Sequence, residues 1–118
     1  LQTDTRAIHV ALQDQRNVAG FGNEYVNEIL FVRGILPDTP AHATDAAAII
    51  DLGARMIRAN RDRADRTFTG DARPGRTTWV YRRENRPCRR CGTPIRRTTL
   101  GANPTRERIV FWCAHCQH

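Results

Sequence analysis

Lysine is absent from this chain of 118 residues, so all 19 of its basic side chains are arginines. Cationic contacts therefore fall to planar guanidinium forks, which match the oxygens of a phosphate two at a time. No apolar run approaches the ~18 residues of a membrane-spanning helix, and no aromatic or leucine-rich face accompanies the arginines, so a membrane partner is not expected. The start of the chain shows no export signal. A secreted disulfide framework is thus disfavoured, and a soluble, cytoplasmic setting is expected. Internal repeats and low-complexity tracts are also missing. The length allows one ordinary domain or two very small ones.

The charge that is present is unevenly spread. Residues 1–60 hold five arginines against seven acids, net −2, whereas residues 61–118 hold fourteen against five, net +9. A half so basic suits a polyanionic partner such as nucleic acid. The same half contains all four cysteines, as Cys88-Arg89-Arg90-Cys91 and Cys113-Ala114-His115-Cys116 with 21 residues between the pairs. Each Cys-x-x-Cys turn can aim two thiolates at one ion while the intervening chain returns as a hairpin, which is the spacing of a tetrahedral Cys₄ zinc site. One structural Zn²⁺ is expected on Cys88, Cys91, Cys113 and Cys116. The alternatives are two disulfides or four unrelated thiols. Gly92, directly after the first pair, lets the chain turn tightly around the sulfurs.

Periodicity makes residues 1–60 helical. Ile8, Ala11 and Leu12 form a stripe after a cap at Thr3 or Thr5, with the helix ending near Arg16. A second helix runs from about Asn23 to Arg33 and is closed by Gly34 and Pro37. A third, capped by Thr44, carries Ile49, Leu52, Gly53, Met56 and Ile57 on one narrow face that must pack on the other helices. The run from Arg61 to Arg66 alternates in sign and reads as a solvated helix end, and residues 67–78, with Gly70, Pro74 and Gly75, read as a linker. Pro94 to Thr99 and Arg108 to Trp112 can pair as antiparallel strands. The organisation expected is α+β: a helical domain over residues 1–66, a linker over 67–78, and a zinc-finger β-hairpin over 79–118.

Between the first two helices stands Gly20-Phe21-Gly22-Asn23. Glycines opening a helix leave backbone N–H groups uncovered where the helix dipole favours an anion, although a tight helical corner would use glycine for steric reasons alone. The longer stretch Leu12-Gln13-Asp14-Gln15-Arg16-Asn17-Val18-Ala19-Gly20-Phe21-Gly22-Asn23-Glu24-Tyr25, followed by Glu28 and Leu30-Phe31, closely resembles the helix-two-turn-helix motif of the formamidopyrimidine-DNA glycosylase and endonuclease VIII family. The cysteine pairs, ending in Gln117-His118, resemble the zinc finger that closes the same proteins. Phe111-Trp112-Cys113 and Gln117-His118 lean toward the endonuclease VIII side.

The resemblance implies base-excision repair: an oxidised base is flipped from double-stranded DNA, removed through a Schiff base on an N-terminal proline amine, and the strand is cut by elimination. It also implies roles for single residues. Asn23 matches the family's asparagine that grips the backbone beside the flipped nucleotide, and Arg108 matches the finger arginine that spans the neighbouring phosphates. Gly20 and Gly22 contribute through their main chain. The family's catalytic Pro-Glu and its lysine belong to a preceding β-sandwich domain with no counterpart here, so this chain is expected to bind damaged or abasic DNA, associated with the nucleoid, without cutting it. Ala114 departs from the proline of many relatives, and the turn from Leu100 to Glu107 is long. The alternative is a stand-alone nucleic-acid-binding or protein-interaction zinc-ribbon module without catalysis. Glu28 is expected either to face the active site or to lie on a helix surface, and Trp79, Phe111 and Trp112 to pack the finger.

Overall fold

A computed structural model of the protein describes residues 4–14, 22–61, 66–101 and 107–118. Along them run α1 (Ile8–Gln13), α2 (Asn23–Arg33), a short 3₁₀ turn (Ala41–Ala43), α3 (Ala46–Asn60) and the strands β1 (Arg96–Leu100) and β2 (Arg108–Trp112). The expected α+β arrangement is what the chain adopts. Gln15, Arg16 and Thr3, the expected end and one expected cap of the first helix, lie outside the described residues.

α2 is the axis of the molecule. Seven consecutive residues, Tyr25 to Phe31, are buried, so this helix is covered on every side rather than along one stripe. Val26, Ile29 and Leu30 pack into an apolar cluster with Ile8 and Leu12 of α1 and Ile49 of α3. Phe31 belongs to a second cluster, with Val80, Ile95, Phe111, Cys88 and Cys113. One helix thus supplies side chains to both the helical core and the finger core. Its end is sharp: Gly34 adopts φ 72°, and the N–H of Ile35 reaches back to the carbonyl of Leu30 at 3.0 Å. That left-handed position is tolerated by glycine, and it satisfies carbonyls that the helix leaves unpaired.

Two capping expectations are corrected. α1 has no side-chain cap from Thr5; its first N–H groups, on Ile8 and His9, donate instead to the carbonyls of Thr39 and Pro37 at 2.7 and 3.1 Å. A returning backbone segment does there what a side chain would otherwise do. For α3 the cap is Asp45, whose carboxylate accepts from the N–H of Ala48 at 3.1 Å. Thr44 is occupied one turn earlier, donating its hydroxyl to the carbonyl of Ala41 at 2.7 Å. At the other end of α3, Asn60 accepts the N–H of Thr67 at 2.9 Å, and Phe68 packs edge-on against Tyr25 with ring centroids 4.9 Å apart. Residues 67–78 therefore start from a fixed point on the helices.

The two strands pair antiparallel with Arg96 opposite Trp112, Thr98 opposite Val110 and Leu100 opposite Arg108. β2 lies on α2, with Val110 and Phe111 buried and Arg108 and Ile109 exposed. A two-stranded hairpin is marginal by itself in water. Here the helix and the cysteine cluster support it from two sides.

Candidate functional site

The four cysteine sulfurs lie within 4.8 Å of one another. Cys88 and Cys116 are 3.9 Å apart and Cys91 and Cys113 are 3.5 Å apart. A disulfide needs about 2.05 Å, whereas two thiolates on one tetrahedral zinc, each about 2.3 Å from the ion, sit roughly 3.8 Å apart. Free thiols at these separations fit a metal and not a crosslink.

Each knuckle is built by its backbone. In the first, Gly92 at φ 80° donates its N–H to the carbonyl of Cys88 at 2.9 Å, and the N–H of Arg90 approaches the Cys88 sulfur at 3.4 Å. In the second, which has no glycine, the buried Gln117 does the bracing. Its Oε1 accepts the N–H of Cys113 at 2.8 Å and its Nε2 donates to the carbonyl of Ile35 at 2.9 Å. Burial pushes the Cys116 thiol up to about 12, while hydrogen bonds with Thr93 pull Cys91 down to about 6. Four thiolates packed this closely repel one another, and a bound divalent ion supplies the positive charge that holds them together. Arg90, between the first two cysteines, lies over Phe31 and Trp79 with its guanidinium carbon 4.9 and 4.8 Å from their ring centres. The knuckle is thereby fastened to α2.

The start of the same helix bears two of the residues matched to phosphate binding, Gly22 and Asn23. Gly22 caps α2 in an extended conformation, is exposed, and would meet nothing within 4 Å if it carried a Cβ. Gly20 lies outside the described residues. Asn23 is the first helical residue, and its amide is engaged on both sides: Oδ1 accepts from Gln13 Nε2 at 2.6 Å and Nδ2 donates to the carbonyl of Ile109 at 2.9 Å. An amide nitrogen carries two hydrogens, and the bond to Ile109 uses one. Ile109 is the strand neighbour of Arg108, so the helix start and the finger arginine, 85 positions apart in the chain, meet through one hydrogen bond. The Arg108 side chain is exposed, its Nη1 donating to the carbonyl of Glu107 at 3.1 Å.

The buried surroundings of three polar residues were not anticipated from the sequence. Asn27, one turn after Asn23 and 1 % exposed, accepts the N–H of Phe111 at 2.8 Å and donates to the carbonyl of Asn23 at 2.9 Å. The two asparagines make a ladder between α2 and β2. Glu28 does not lie on the helix surface. It is fully buried, and its carboxylate accepts the N–H groups of Trp79, Val80 and Tyr81 at 2.6, 2.9 and 3.2 Å. Burial pushes its pKa up to about 7 against the pull of those three donors. His9, on α1, is fully buried; neither ring nitrogen makes a full hydrogen bond among the described residues, although the Asn23 side chain lies close enough to favour the charged ring. Burial holds its pKa down at about 4, and the charge of nearby Arg108 acts in the same direction. Trp79 and Phe111 pack the finger as expected, and Trp112 is half-buried.

Comparison with known proteins agrees with this geometry. The formamidopyrimidine-DNA glycosylase H2TH domain matches residues 1–58. The chain is 45% identical over 113 residues to the DNA-(apurinic or apyrimidinic site) lyase Nei2 of Mycolicibacterium smegmatis, covering 95% of this chain and 43% of that protein. It is 46% identical over 113 residues to endonuclease 8 2 of Mycobacterium bovis, with 95% and 42% covered. Its backbone superimposes with a TM-score of 0.73 on Lactococcus lactis Fpg solved in complex with DNA containing an abasic site, at 25% identity and covering 99% of this chain and 44% of that one. The chain thus spans less than half the length of the relatives it matches. Its helices and cysteine-held hairpin nonetheless follow theirs almost from end to end, and the chain belongs to the formamidopyrimidine-DNA glycosylase and endonuclease VIII family.

Proposed function

We propose that this chain is the DNA-binding C-terminal part of a bifunctional DNA glycosylase and abasic-site lyase. In this reading α2 and the finger grip the phosphate backbone around a flipped, oxidised base, while catalysis resides in a domain outside these residues. The observation that carries the reading is the bond from Asn23 to the carbonyl of Ile109, which fixes the start of α2 against the strand that presents Arg108. Two donors so held need little ordering when a phosphate arrives, and an arginine fork on a stiff hairpin favours bidentate contact. Gly20 and Gly22 would offer main-chain N–H groups at the same place. Cys88, Cys91, Cys113 and Cys116 would hold one Zn²⁺, which here supplies folding energy and no chemistry. The duplex partner, damaged or abasic, and an intracellular, nucleoid-associated location follow from the same reading.

Phosphate contacts position a protein without reading sequence or lesion. Arg108→Ala should therefore weaken binding to damaged and undamaged duplexes by the same factor, roughly 10- to 150-fold for a lost charge-assisted contact of about 1.5–3 kcal/mol. Fluorescence anisotropy at low salt measures both affinities. Unchanged affinity for both duplexes would overturn the assignment, and a loss confined to the damaged one would make Arg108 a lesion reader.

A further inference from the structure

His9 stands out among the polar groups that this reading leaves unexplained. A buried ring with no full hydrogen bond at either nitrogen among the described residues is a rare and costly arrangement, since a polar atom taken from water without a well-placed partner loses hydration that is not fully compensated. Its neighbours are the two residues assigned to phosphate: Asn23 at the start of α2 and Arg108 on β2. We propose that His9 is the buried proton acceptor of this phosphate site, so that seating an anion between Asn23 and Arg108 draws one proton onto the imidazole.

The physical reason is a reversal of charge. In the free protein the ring is neutral, because water is excluded from it and the charge of Arg108 opposes a second positive charge. A phosphodiester brings one negative charge to that cation. At about 5 Å and an effective dielectric constant near 20, such a charge raises the pKa of an imidazole by roughly two. A group that titrates at about 4 when free then titrates near 6. The new N–H has an acceptor at hand in Asn23 Oδ1, which has a second lone pair beyond the one serving Gln13.

No other described charge near the ring competes with this. On α2, Glu24 lies 3.8 Å from Arg66 and Glu28 is bound to the N–H groups of residues 79–81. On the segment that covers α1, Asp38 and His42 are exposed. On the approach to α1 and at its end, Asp4 and Asp14 both pair with Arg6.

The inference rests on the phosphate reading of Asn23 and Arg108, and its test separates the two. Binding of the chain to a short undamaged duplex is measured by calorimetry near pH 6, in two buffers of different ionisation heat, for wild type, His9→Gln and Arg108→Ala. Wild type should take up about half a proton more than His9→Gln, and its affinity should rise about fourfold more than that of His9→Gln between pH 7.5 and 5.5. Equal proton uptake in wild type and His9→Gln, with Arg108→Ala weakened, overturns the role of His9 alone. Unchanged affinity in Arg108→Ala overturns the phosphate reading beneath it. Should His9→Gln fail to fold, the ring carbon resonance of His9 in wild type gives the same answer: its midpoint should move from below pH 5 to near 6 on adding duplex, and an unmoved midpoint refutes the proposal.

Discussion

Replacing Asn27 by alanine tests whether the finger is held to the helices by buried hydrogen bonds or by the metal and apolar packing alone. The substitution removes the acceptor of the Phe111 N–H, a buried group bonded at 2.8 Å, and the donor to the carbonyl of Asn23 at 2.9 Å. An orphaned buried N–H costs about 1–3 kcal/mol, and the lost donor bond adds about 0.5–1.5 kcal/mol. The space left by the amide adds roughly 1 kcal/mol if its walls do not collapse. Together these make about 2.5–5.5 kcal/mol, a large share of the roughly 5–15 kcal/mol that holds a domain folded. For a chain of this size the melting temperature should fall by roughly 10–20 °C. Thermal unfolding of the zinc-loaded protein, followed by circular dichroism, measures it. Duplex affinity should fall as well, because Asn27 and Asn23 together keep β2, and with it Arg108, against the start of α2. A variant melting within about 2 °C of wild type would refute the reasoning and leave the finger held by its second apolar cluster and the metal.

The four cysteines should bind one zinc ion per chain, and Cys88→Ser or chelation should release it with loss of the ordered hairpin; elemental analysis near zero in reduced, freshly purified protein would contradict this. The raised pKa of Glu28 has a definite sign: the folded state holds the proton more tightly than the unfolded chain, so its contribution is full below about pH 4.5 and is lost as pH rises to about 7, a change of roughly 3 kcal/mol. Urea midpoints of wild type and Glu28→Gln between pH 5 and 8 should accordingly shift in favour of the variant as pH rises, and parallel curves would exclude the linkage. Incubated with an abasic-site duplex and borohydride, the chain should form no covalent adduct, since Schiff-base chemistry needs an amine set beside a general acid. A trapped adduct would put a nucleophile within these residues.

Features that depend on local chemistry were legible before the structure: the extent of α2 from Asn23 to Gly34, the core face of α3, the strand from Arg108 to Trp112, and the cysteine quartet. Each follows from spacing, from a glycine that can turn left-handed, or from ligands that must converge. What stayed hidden were polar residues whose partners lie far along the chain. Asn27 and Glu28 sit mid-helix, where periodicity assigns a polar side chain to solvent by default, yet their partners are Phe111 and residues 79–81. A clue was present, for the sequence around them, Tyr25-Val26 before and Ile29-Leu30-Phe31 after, leaves hardly any polar face for them to share. α2 is surrounded, so polar groups on it must find protein partners, and the chain uses that requirement to orient the finger. Apolar clusters alone would select the register of β2 on the helix less sharply, since hydrophobic burial is non-directional. A ladder of two asparagines beside a carboxylate bonded to three successive N–H groups allows one register. That register fixes where Arg108 lies relative to the start of α2, so the buried polar residues specify the geometry that Asn23 and Arg108 would offer to a phosphate.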